Sequence, residues 1–388
     1  MIENVLTSQN RWLLVNLDKL EGAITQATIP PELTPYHAGI LAACQHLRSN
    51  IMQNMRDLQL EEAAIAEEIL SNTQAATRTM NLMSARLAYP ILRASDADRL
   101  SLRVIWWMHR QHPETQQLPP AFCDGATAVW PFELPIYFLP CLDRQSLLFQ
   151  PLLFHEFGHV LYTLHRREMN DLVRALQLTI GQHILPPSYR NDRYATVQSD
   201  QRQAIVDVWY PWVQELFCDA TGFIMGGPSF LHAFANHLRM LERSDLVQSP
   251  LNLRLGTHPV TWLRVKLLTE RATAAGFSHE AQSISDEWAA VAHAMGVVED
   301  YHGYYDPVIG ELATQGVEAM LVEAAPRPYT AEEAAGEGWQ NGTDSVIRLL
   351  NWAWQQYFKD PSQYAIWEAE VIQRYIAEPE PIIAYLAK

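Results

Sequence analysis

His155-Glu156-Phe157-Gly158-His159 sets two imidazoles four residues apart, with a carboxylate directly after the first. On an α-helix, positions i and i+4 lie about 40° apart on one face, so both rings can reach one metal ion. Glu156 sits one residue round the helix, placed to polarise a metal-bound water without ligating the ion. That is the chemistry of a zinc hydrolase. From Leu152 to Leu161 only His155, Glu156 and His159 are ionisable. An acid and two histidines on an otherwise apolar helix are costly to bury without a purpose. The competing reading is a core or solvated helix with incidental histidines.

Catalytic zinc takes three protein ligands and keeps one position open. Three candidates compete for the third place. His165 stands where an H-E-x-x-H-x-x-G-x-x-H pattern would put its last histidine, but Tyr162 replaces the glycine that lets the helix stop. On a continuing helix His165 would face away from His159. Glu215 and Asp219 are four apart on a segment that is otherwise apolar there, and two acids on such a face need a cation or donors. Glu215 is therefore the expected third ligand, and Asp219 the expected acceptor for the free N–H of a ligand histidine. Glu168 and Asp171 follow the motif too closely and rank last. A separate group, Thr257-His258-Pro259 with Arg264, offers a histidine for a developing oxyanion and an arginine to hold the acids.

The ordered set His155-Glu156-x-x-His159, Glu215-x-x-x-Asp219 and His258-Pro259-x-x-x-x-Arg264 resembles the gluzincin metallopeptidases. It looks closest to the group of membrane proteases that includes the CAAX-processing and heat-shock types. The resemblance spans about 152–268, under a third of the chain. It implies Zn²⁺ on His155, His159 and Glu215, Glu156 as general base and later proton donor, Asp219 in support of a ligand, and roles for His258 and Arg264. Unlike those relatives, this chain has no apolar run long enough for a transmembrane helix, so a membrane substrate is not carried over.

Composition narrows the partners. The 388 residues carry 28 basic and 44 acidic side chains, a net charge of −16. That disfavours nucleic acid and anionic membrane surfaces. Four scattered cysteines, Cys44, Cys123, Cys141 and Cys218, make no CxxC pair and no disulfide framework, which fits a reduced cytoplasm. Cys218 is read as a small buried side chain. Residues 1–20 lack the apolar core and cleavage site of a secretory signal.

The elements that must position these residues are mostly helical. Ile40, Leu47, Ile51, Met55, Leu58, Ile65 and Ile69 recur at helical spacings, and 91–112 gives a further helix with Trp106 and Trp107 in the core. Between Pro119-Pro120 and Pro140, Thr127, Val129 and Ile136–Phe138 predict one or two short strands interrupted by Pro131 and Pro135, suited to a sheet edge that could hold an extended substrate. A helix over 143–166 carries the motif, and 166–184 continues helical. Pro186-Pro187 breaks it and 188–201 forms a polar loop. Helix 203–225 is broken or begun near Pro211, and 229–244 follows. Thr257 caps a helix that has Pro259 in its first turn and runs to Ala275. Residues 278–388 are helical with Trp-rich faces, and 325–345 reads as a linker.

The expected fold is mainly α (α+β): a zincin-like core at 121–276 with a small β-sheet edge, flanked by helical regions at 1–120 and 277–388. The expected function is soluble, zinc-dependent hydrolysis of a peptide or protein substrate. For the oxyanion, His258 is preferred over Tyr301, Tyr304 and Tyr305. Two alternatives stay open: a metzincin-like ligand set using His165, and a helical regulatory or interaction protein whose zinc is structural or inert.

Overall fold

Leu6, Asn10, Leu13, Leu17 and Ile24 form one buried stripe along α1 (Ile2–Gln26). Tyr36, Ile40, Cys44, Leu47, Ile51 and Asn54 do the same on α2 (Thr34–Asp57). Packed against both is α3 (Ile65–Leu82). Inside this apolar interface Asn10 donates to Thr73 Oγ1 at 2.9 Å and accepts from Asn54 Nδ2 at 3.5 Å. A buried polar contact of this kind fixes register, because any slip leaves the amides unpaired.

The computed structural model describes residues 2–60, 65–184, 195–297 and 301–377. They fall into two compact units: one runs to Gln145 and takes in Ile376 and Ala377, the other runs Ser146–Tyr375. Among the described residues the fold is mainly helical with one small sheet. In the first unit, α4 (Tyr89–Leu92) and α5 (Arg99–Gln111) follow α3. Trp106 on α5 is buried and Trp107 half-buried. The sheet has the order β1-β3-β2, with β1 (Ala121–Asp124), β2 (Ala128–Trp130) and β3 (Ile136–Leu139). β3 pairs in parallel with β1 and antiparallel with β2. Pro135 and Pro140 bracket β3, so neither removes a ladder donor from the central strand. Sequence reading found β2 and β3 but not β1. All three strands belong to the first unit, whereas the motif helix belongs to the second.

The second unit contains α6 (Leu152–Leu164), α7 (Arg166–Ile184), α8 (Ala195–Gly226), α9 (Pro228–Arg239), α10 (Arg243–Leu246), α11 (Pro250–Leu255), α12 (Thr261–Ala274) and α13 (Ser278–Met295). It continues with α14 (Pro307–Ala324), α15 (Ala331–Ala335), α16 (Val346–Lys359) and α17 (Pro361–Ala377). The central element is α8, 32 residues long, with α6, α7, α12 and α14 packed on it.

Several local expectations are corrected. The motif helix begins at Leu152, not 143, and ends at Leu164. The turn ahead of it is tied down by Glu368, which accepts from Leu147 N at 2.6 Å and Ser146 Oγ at 3.1 Å. Residues 195–201 are helical rather than loop; the rest of the expected break, 185–194, lies outside the described residues. Pro211 sits inside α8 and does not end it. Neither Thr257 nor Pro259 starts a helix: Val260 is extended (φ −53°, ψ 133°) and α12 begins at Thr261. Nor is 325–345 a linker. Tyr329 N donates to Ile224 O at 2.9 Å, the Tyr329 ring packs on Phe223 and Phe277, and Trp339 is buried. Gly227, at φ +60°, carries the sharp exit of α8 beneath the Tyr329 ring, and a Cβ there would lie 3.1 Å from that ring.

His232 on α9 packs tilted against Trp354 and edge-on to Phe358 and makes no hydrogen bond among the described residues. Burial lowers its pKa from 6.5 to about 4, with a smaller push from Arg239. The folded chain therefore keeps this ring neutral at pH values where the unfolded chain protonates it. Its contribution to stability is complete above pH 6.5 and is lost as pH falls towards 4. His232→Phe keeps the ring packing without the charge. Urea unfolding should show the variant gaining roughly 2 kcal/mol on the wild type between pH 7.5 and pH 5. An equal pH response of the two proteins would contradict the assignment.

Candidate metal centre

Helix α6 meets α8 in close contact at Gly158. A Cβ on Gly158 would stand 2.8 Å from Cys218 Cα and 3.1 Å from Cys218 Sγ, closer than real Cβ contacts come. The glycine of the motif is thus the contact point that brings the α6 histidines onto the acidic face of α8. Phe157, Val160 and Leu161 bury the rest of α6.

The structure gathers His155, His159, Glu215, Asp219, His258 and Arg264 into one cluster. Glu215 is the hub. His155 Nε2 lies 3.5 Å from its Oε2, His159 Nε2 lies 3.5 Å from its Oε1, and His258 Nε2 lies 3.5 Å from Oε2. Arg264 Nη2 comes within 3.3 Å of the same Oε2. Even so, Glu215 Oε2 is buried without an aligned hydrogen bond. Behind His155, Asp219 Oδ1 lies 2.9 Å from Nδ1, a close contact that is not well aligned as a hydrogen bond. Asp219 itself accepts a two-point contact from Arg264: Nε to Oδ2 at 2.9 Å and Nη2 to Oδ1 at 2.7 Å. Phe234 stacks on His155 and lies 4.8 Å beneath the Arg264 guanidinium. His258 is the solvent-exposed member of the group, with Thr257 Oγ1 3.0 Å from its Nδ1.

Electrostatics follow from four charges in a dry space. Burial alone would depress His155, but Asp219 and Glu215 overcome it and raise its pKa to about 10. His159 lacks such support; burial and the His155 charge lower it to about 4. Burial pushes Glu215 up, yet His155 and Arg264 win and hold it far below the ordinary carboxylate range. Asp219 is lowered for the same reason, chiefly by Arg264 against its burial. Glu156 goes the other way. Burial lifts it to about 7, with His155 opposing and Glu215 adding to the rise.

The other nominated residues lie elsewhere. His165 caps the end of α6 and faces Glu323 on α14, 3.4 Å away. Glu168 and Asp171 are exposed on α7, the latter 3.9 Å from Arg174. Tyr301, Tyr304 and Tyr305 are buried; Tyr304 packs on Trp212, and Tyr305 lies under Lys266. Phe234 escaped sequence reasoning because it carries no chemical signal. Cys218 is the small buried side chain expected, and three residues after Glu215 it shares that face of α8. The donor atoms of His155, His159 and Cys218 lie within 4.8 Å of one another. Its thiol is raised well above 9, first by burial and then by the neighbouring carboxylates.

The donor set suits a divalent ion. Two donors bonded at zinc distances on a tetrahedron stand roughly 3.3 Å apart, and each of the two His–Glu215 separations is 3.5 Å. A cation would also satisfy the orphaned Glu215 oxygen.

No protein-family model, no curated protein and no solved structure matches this chain. No helix among the described residues is long and apolar enough to cross a membrane.

Proposed function

We propose that the second unit is a zinc metallopeptidase of gluzincin type with a zincin-like core, acting on a peptide or protein substrate. The observation that carries this reading is the position of Glu215, whose Oε2 lies 3.5 Å from His155 Nε2 and whose Oε1 lies 3.5 Å from His159 Nε2, while Glu156 is left without a hydrogen bond among the described residues. His155, His159 and Glu215 would hold the ion, which when bound supplies Lewis acidity to the scissile carbonyl. Glu156 takes the proton of the attacking water and returns it to the leaving amine. Asp219 keeps His155 oriented by facing its far nitrogen, and Arg264 keeps Asp219 ionised. His258, exposed beside Glu215, donates to the developing oxyanion. Four cysteines without a disulfide among them support a reducing, cytoplasmic setting.

Cys218 favours a second reading. If its sulfur joins His155, His159 and Glu215, four protein ligands close the ion and the site is structural, as in a helical interaction protein. Metal content after purification in zinc separates the two. The peptidase reading expects one zinc per chain in the wild type, Cys218→Ala and His165→Ala proteins, and at least tenfold weaker zinc binding in Glu215→Ala. Loss of zinc in Cys218→Ala would shift the assignment to the closed site, and loss in His165→Ala alone would shift it to the metzincin-like set.

A further inference from the structure

The same helices that carry Asp219 and Arg264 enclose a cavity of about 580 Å³. It lies between α8, α12 and α14, with Pro328 and Tyr329 covering one side. None of His155, Glu156, His159, Glu215 or His258 lines it, so a molecule inside would not occupy the metal centre. Its walls are apolar, Phe223, Leu267, Leu268 and Val317 among them, and its volume falls in the range of small-molecule sites.

Five charged side chains line it: Asp219, Glu270 and Glu318 against Arg264 and Arg271. Three acids less two bases leave one negative charge in excess. At the floor, Arg264 is committed to Asp219 and is near Glu215. A ligand carboxylate there would meet two like charges, Asp219 and Glu215. On α12, Arg264 and Arg271 are seven residues apart, two turns along one face, so floor and rim are separated by roughly 10 Å. At the rim Arg271 pairs with Glu318 at 2.5 Å. Glu270 is exposed and has no ion pair or hydrogen bond among the described residues. Lys266, which flanks Glu270 on its other side, holds its ammonium 5.2 Å over the Tyr305 ring.

We propose that this cavity binds a hydrophobic amine, an alkyl chain of about eight to ten carbons with a cationic head at Glu270. The chain runs through the apolar interior down to the Arg264–Asp219 pair. The head supplies the one positive charge the lining lacks. This site is independent of the peptidase reading, since it needs neither the ion nor Glu156.

The test is calorimetric titration of the metal-free, full-length protein with n-decylamine, decan-1-ol and decanoate at low salt, each below its micelle concentration. The amine should bind roughly three- to fivefold more tightly than the alcohol, the reach of one exposed ion pair, and at least tenfold more tightly than decanoate. Glu270→Gln should bring amine and alcohol together. Ala274→Trp places a ring at the exposed edge of the cavity; with an unchanged thermal midpoint, it should weaken all three probes at least tenfold. Decanoate binding as tightly as the amine, no amine binding at all, or binding untouched by Ala274→Trp would each overturn the proposal.

Discussion

Replacing Glu156 with glutamine should abolish peptide hydrolysis while leaving zinc affinity unchanged. The amide keeps the size and shape of the carboxylate, so α6 has no reason to move. What it loses is the ability to accept a proton. General-base catalysis by a positioned carboxylate contributes about 10² to 10⁴ in rate, and in the proposed mechanism the same group also returns the proton, so a loss of about 10³ or more is expected. Zinc affinity should hold because Glu156 contacts none of the donor atoms at bonding distance. Its carboxyl lies near 7 before any cation is counted, lifted mainly by burial. A dication beside it lowers that value and keeps it ionised at neutral pH. The measurement is turnover of an unstructured protein substrate alongside zinc content of the same preparation. Full activity with zinc present would remove Glu156 from the mechanism.

Asp219→Ala should be the most destabilising single change at the site. Arg264 is buried and draws two of its contacts from Asp219. Removing one partner of a buried ion pair leaves the other charge uncompensated, which costs about 3–5 kcal/mol. Glu215, 3.3 Å from Arg264, offsets part of that. The same substitution frees the far nitrogen of His155 and should weaken zinc binding about 10- to 100-fold. Replacing both partners by apolar groups separates these effects. Arg264→Met with Asp219→Leu removes both charges and fills the space with apolar groups, so urea unfolding should recover most of the lost stability. Zinc affinity should stay weak, because nothing then orients His155. Equal stability of Asp219→Ala and wild type would show that Arg264 finds other partners.

The candidate centre was legible because its residues repeat at helical spacing on two separate segments. His155 and His159, and Glu215 and Asp219, are each four apart, and spacing within a helix is a local property of sequence. What spacing cannot give is the register of one helix against another. That is set at Gly158 and Cys218, where only packing decides, so sequence reading assigns Cys218 a buried place but not its distance from the imidazoles. Other misreadings have the same origin. Residues 325–345 have the composition of a linker, yet a few large side chains, Tyr329 and Trp339, hold them against the body of the second unit. Ala121–Asp124 lacks the alternation of a half-buried strand; it is a strand only because Ile136–Leu139 lies beside it. Pro211 reads as a break, but helical packing on both sides carries α8 across one missing donor. At Thr257-His258-Pro259 the local signals for a helix start are good, and the chain uses the segment instead to bring His258 to Glu215.

The contact between Gly158 and Cys218 also says when the order of the centre is achieved. Two helices touching at backbone distance have no slack along their axes, and sliding one by a single residue would drive a side chain into the space the missing Cβ leaves. The spacing between imidazoles and carboxylate is therefore settled as the helices dock. The conformational entropy of arranging the donors is spent in the folding of the protein core. An ion binding at the proposed centre would meet a finished geometry, and its binding energy would go into affinity rather than into assembling the chain around it.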